Sequence, residues 1–167
     1  MKINMKRIFR HLLATRWQVK RAFPPAALAA IEQEIKAGEA AHRGEIRFAV
    51  EGALSGSPLY ADQSARERAI DLFALLRIWD TDDRSGVLIY LLLADHSVEI
   101  VADRGVHAIT GPLAWEEICR NMETAFRDNQ YQQGVIDGVR AVNRLLTKHF
   151  PSRGAGRNQL PDKVVVL

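Results

Sequence analysis

TDDRSGVLIYLLLADHSVEIVADRG, residues 81–105, holds two apolar runs bounded by acids and interrupted once, at Asp95-His96-Ser97. The first run, Gly86 to Leu93, carries hydrocarbon at successive positions rather than alternate ones, the pattern of a strand buried on both faces. Asp, His and Ser at 95–97 are turn chemistry, and Val98 to Ala102 reads as the returning strand. The stretch is therefore a hairpin with antiparallel strands.

Upstream, EIRFAVEG (45–52) sets Ile46, Phe48 and Val50 against Arg47, Ala49 and Glu51, a second strand pattern. A loop, GALSGSPLY, then leads to Ser64-Ala-Arg-Glu67, a capping box for a helix that runs to about Trp79. A helical crossover between two strands makes them parallel. Downstream, Gly111-Pro112 opens a helix to about Asp128, and a last helix spans residues 130–149, with Gly134 and Gly138 as points of close approach to the sheet. The predicted fold is α/β: a three-layer α/β/α sandwich with a small mixed β-sheet and helices on both faces. It divides into a basic amphipathic N-terminal helix (1–23), an α/β domain (24–150) and a flexible C-terminal tail (151–167) whose VVVL is a candidate edge strand.

The N-terminal helix places Met5, Phe9, Leu12, Leu13 and Trp17 on one apolar face and ends at Pro24-Pro25. Lys2, Lys6, Arg7, Arg10, Arg16, Lys20 and Arg21 all precede the first acid, Glu32. The chain's net +3 thus combines +7 before Glu32 with −4 from there on. A basic arm on a mildly acidic body differs from a basic nucleic-acid-binding domain, and the basic residues lack interleaved aromatics on a strand platform. No nucleic-acid partner is expected. The single cysteine, Cys119, excludes an internal disulfide and a CxxC zinc site. The longest apolar run is about half of the ~20 residues a spanning helix needs, and no signal-peptide pattern is present. The expected location is cytoplasmic, with peripheral attachment at the inner membrane through the arm.

Parallel strands followed by a hairpin gather scattered acids. Glu45 and Gly86 begin their strands at one rim, and the antiparallel third strand ends there at Asp103. Glu45, Asp82, Asp83 and Asp103 are candidate ligands of Ca²⁺ or Mg²⁺, which favour oxygen donors, with Asp83, Asp103 and Arg104 as candidate catalytic residues. Arg104 matches phosphate oxygens with paired hydrogen bonds, and Arg43 and Arg84 border the group. The opposite rim gathers Glu51, Ser55, Ser57, Asp95 and His96, an alternative anion and acid–base site. No Walker or dinucleotide fingerprint occurs, so no nucleotide cofactor is expected.

SGVLIYLLLADHSVEIVADRG (85–105) and AFRDNQYQQGVIDGVRAV (125–142), with GEIRFAVEGAL before them, resemble the TPM-domain family, the thylakoid-lumen phosphatase-like fold also found in bacteria. The resemblance covers roughly residues 26–150. It implies the α/β/α sandwich, in some members calcium binding and acid phosphatase activity, and in bacteria association with envelope membrane proteins, including the LemA type. The family's loop before the second strand corresponds to Asp82, Asp83 and Ser85, and the end of its third strand to Asp103-Arg104-Gly105. Two departures stand out: no acid precedes Glu32, and Asp-Arg-Gly replaces a Gly-Tyr-Gly. Two functions are then expected. The favoured one is a non-catalytic interaction module at an envelope-associated complex or anionic surface, with a divalent cation as a candidate ligand. The alternative is a metal-assisted phosphomonoester hydrolase.

Overall fold

Strand β1 (Glu45–Glu51) lies beside β2 (Gly86–Leu92) in parallel, with Glu45 opposite Gly86 and Glu51 opposite Leu92. Strand β3 (Ser97–Ala102) returns antiparallel to β2, and β4 (Val165–Val166) adds a parallel edge to β1. The sheet order is β3-β2-β1-β4, so the directions read for the hairpin and for the parallel pair hold, with Ser97 already in β3 and Leu93 in the 3₁₀ turn before it. This computed structural model describes residues 4–14, 16–154 and 158–167.

The helices cover both faces. One face packs Ile46, Phe48, Val50, Val87, Ile89 and Leu91 against α3 (Pro25–Glu39), α7 (Pro112–Arg127) and α8 (Tyr131–His149). The other packs Ala49, Leu88, Tyr90 and Leu92 against α4 (Gly56–Tyr60) and α5 (Ala65–Leu75). Pro25 at the first turn of α3 has no N–H to leave unpaired. In α5 the capping box forms in both directions, Glu67 N–H to Ser64 and Ser64 N–H to Glu67. Gly134 and Gly138 do serve close packing, though against a helix rather than the sheet. A Cβ on them would meet Phe126 at 2.8 Å and Met122 at 2.4 Å, both on α7.

Local readings change in several places, among them residues 56–60 of the predicted loop, which form α4. The single N-terminal helix is two, α1 (Met5–Leu13) and α2 (Arg16–Ala22), because Ala14 is extended. The crossover helix stops at Leu75, since Arg77 adopts a left-handed backbone. A helix unforeseen in the sequence, α6 (Arg104–Thr110), follows β3 with Asp103 as its cap.

Candidate functional site

At the amino-terminal rim of β1 and β2, Glu45 and Asp103 flank Gly86 on its two sides. Glu45 pairs with Gly86 in the ladder, and the Asp103 N–H donates to the Gly86 carbonyl at 2.9 Å. The loops before β2 and after β3 touch, because a Cβ on Gly105 would stand 2.6 Å from the Arg84 carbonyl. Their side chains nonetheless diverge. Glu45, Asp82 and Asp83 line one cavity of about 770 Å³ with Lys36, Glu39 and His42, whereas Asp103 and Arg104 do not line it. Asp103 turns to cap α6, accepting from the Arg104 N–H at 2.6 Å. Asp83 pairs with Arg43 at 2.9 Å. The Asp82 N–H donates to the Gln159 side chain, and Arg104 opens α6 as an exposed residue.

Burial dominates the titration of this cavity. It pushes the Glu39 carboxyl up to about 8, with the nearby Asp162 and Glu45 charges adding to it. It raises Glu45 as well, against two backbone N–H groups, and it lowers His42. Both Glu45 oxygens already accept hydrogen bonds, from Gln159 and Leu160. A divalent cation needs several ionised oxygen donors converging on one point. Here burial disfavours the Glu39 charge, Glu45 is bound by amides and Asp83 by a guanidinium. Among the described residues no group of three or more His, Cys, Asp or Glu side chains suits a metal. The predicted set of Glu45, Asp82, Asp83 and Asp103 does not fit Ca²⁺ or Mg²⁺.

The opposite rim is covered by the N-terminal arm. Arg7 donates to Asp95 through Nε and Nη2 at 2.9 and 2.8 Å, and to Asp62 through Nη1 at 2.7 Å. Arg10 joins Asp95 as well. His11 is buried between Asp95, 3.0 Å from its Nε2, and the Leu54 N–H, 2.9 Å from its Nδ1. Since Nδ1 accepts, the ring proton sits on Nε2 and is donated to Asp95. Burial disfavours the Asp95 charge, but hydrogen bonds from Arg7, His11 and Arg10 outweigh it and hold its carboxyl below the usual carboxylate range. Glu51 is engaged too, by Arg68 and by the Tyr90 hydroxyl at 2.7 Å. Ser55, Ser57 and His96 remain exposed.

The Arg7–His11 stripe faces the domain, because Asp95 and Asp62 stand there, Ile8, Val19 and Phe23 pack inward, and a second, apolar stripe faces outward. Met5, Phe9, Leu12, Leu13 and Trp17 are 61–69% exposed. Lys6, Arg10, Lys20 and Arg21 flank them on the surface. Arg21 lies over the Trp17 ring at 5.4 Å. Beside this face, a cavity of about 890 Å³ is lined by Arg10, Leu13, Trp17, Arg21, His96 and Tyr131. The Arg7–His11 spacing of four residues is the one sign of this stripe in the sequence. Glu39 and Asp162 had none, since only the folded chain brings them together.

The TPM domain matches residues 19–145. The chain is similar in structure to the BA42 protein of the psychrophilic bacterium Bizionia argentinensis, with a TM-score of 0.75 and 25% identity over 85% of this chain and 93% of that one. It also resembles the N-terminal domain of a P. gingivalis protein, with a TM-score of 0.61 and 18% identity over 75% and 79% of the two chains. No curated protein matches it in sequence. With a match across most of its length and the sheet order described above, the chain belongs to the TPM-domain family.

Proposed function

We propose that this TPM domain is a non-catalytic interaction module that attaches to an anionic membrane surface through α1 and α2. The observation that carries the reading is the outward apolar stripe of the arm, Met5, Phe9, Leu12, Leu13 and Trp17, bordered by Lys6, Arg10, Lys20 and Arg21. A large apolar patch rimmed by charge marks an interaction site. A helix lying in the headgroup region buries such a face while its basic residues meet anionic lipid. Each Lys or Arg near that surface contributes about 1 kcal/mol. Among the described residues no helix is long and apolar enough to cross a membrane, and the reading asks only for peripheral attachment. The metal-assisted hydrolase gains no support, since its donor set does not converge.

Co-sedimentation with phosphatidylglycerol-containing and with purely phosphatidylcholine vesicles tests this. The chain should pellet with the first and not the second, and Phe9→Glu with Leu13→Glu should weaken binding by roughly ten-fold or more. Equal pelleting of the variant and the unsubstituted chain would exclude the arm as the attachment.

A further inference from the structure

Residues 158–167 form a strap across the β1 edge, and the domain holds it in an unusual way. Only Val165 and Val166 join the sheet ladder, opposite Ala49 and Val50. Upstream of them, charged side chains bind the strap's backbone. Glu45 accepts the Gln159 and Leu160 N–H groups at 3.1 and 3.2 Å. Arg47 donates to the Pro161 carbonyl. Glu32, on α3, accepts the Val164 N–H at 2.9 Å. Two apolar side chains anchor the strap, Leu160 at 8% exposure among the residues under α5 and Val164 at 7% among those under α3. Pro161 and Lys163 between them are exposed.

We infer that the edge of β1, with α3 and the 82–85 loop, is a groove that recognises an extended peptide, and that the strap is its resident ligand in cis. The division of labour is that of peptide capture at a sheet edge: backbone hydrogen bonds supply affinity, and pockets for spaced side chains supply selectivity. Here the pockets take apolar residues four apart. The composition of β1 points the same way. An edge strand covered for good is stabilised best by apolar neighbours, since buried charge is expensive to desolvate. Glu45 and Arg47 instead meet the strap from β1, and both are buried. Inward-pointing charges protect an edge that is at times uncovered from pairing with other strands. Arg47 also keeps a buried Nε with no acceptor among the described residues, a donor that a different backbone can use. The strap lies beyond the family match, which ends at residue 145. The partner is thus an extended polypeptide segment with Leu- or Val-like anchors four apart, taking the groove when the strap leaves it. This surface is separate from the arm, so either interaction can fail without the other.

The test uses the full chain with Leu160→Asp and Val164→Asp, which removes both anchors, and a fluorescent peptide with the sequence NQLPDKVVVL, residues 158–167. Anisotropy should show the variant binding the peptide at least about ten-fold more tightly than the unsubstituted chain, whose tethered strap competes at an effective concentration near millimolar. Adding Glu45→Ala and Arg47→Ala should abolish that binding. No binding to the folded variant, or equal binding to both proteins, overturns the inference. Should the variant fail to fold, hydrogen exchange on the unsubstituted chain decides. Amides of Gln159, Leu160 and Val164 exchanging about ten-fold or more faster than those of β2 support a detachable strap. Exchange at the rate of β2 contradicts it.

Discussion

His11 is held on both sides, by Asp95 at Nε2 and by the Leu54 N–H at Nδ1. Asp95→Asn removes the charge that gathers Arg7, Arg10 and His11, and should loosen the arm. Amide exchange at Leu54 reports on it directly and should speed up roughly 10- to 100-fold, equivalent to about 1.4–2.8 kcal/mol. Because the Asp95 pKa is lowered on folding, this docking contributes fully above the unfolded carboxylate pKa near ~4 and is lost as pH falls through the lower folded value. Glu39 has the opposite sign. Its carboxyl, pushed up to about 8, leaves stability intact below the unfolded pKa and removes it as pH rises towards that value, because the unfolded chain releases the proton first. Glu39→Gln should therefore flatten the decline between about pH 5 and 8. Allowing for solvent screening, it should raise stability at pH 8 by roughly 1–2 kcal/mol in denaturant titrations.

At the scale of elements, Gly86 shows how tightly the start of β2 is fixed. A Cβ there would stand 2.0 Å from the Ile78 carbonyl oxygen, and backbone cannot yield as a side chain does. Gly86→Ala should lower stability by roughly 1–3 kcal/mol, read as a fall in Tm. The strands were legible because alternation and continuous apolarity are local signals, and Gly86 to Leu93 and Glu45 to Gly52 carry them clearly. The capping box of α5 was legible for the same reason. Helix α6 was missed because DRGVHAITG resembles a turn, though Asp103 is a good cap. The buried charges of β1 could not be foreseen, since Gln159, Leu160 and Pro161, which bind Glu45 and Arg47, lie more than a hundred residues along the chain. The arm follows a usual rule only in part. An apolar stripe normally faces the core; Val19 and Phe23 follow this, but along α1 Asp95 recruits Arg7 and His11 and leaves a second apolar stripe outside.

In the whole molecule, these features divide between two rims and an edge. The amino-terminal rim gathers the acids named from the sequence, but the carboxylates of Asp83, Asp103 and Glu45 are taken by Arg43, the α6 cap and the strap's amides. The carboxyl rim is closed by the arm, which presents its apolar stripe to the surroundings. That outward face is the central claim, and Trp17 lies within it. Tryptophan quenching by vesicles of phosphatidylglycerol with brominated acyl chains tests it most directly, comparing the unsubstituted chain with Trp17→Ala. Quenching that disappears in Trp17→Ala is the predicted result; unquenched emission, or quenching that persists in the variant, would contradict it.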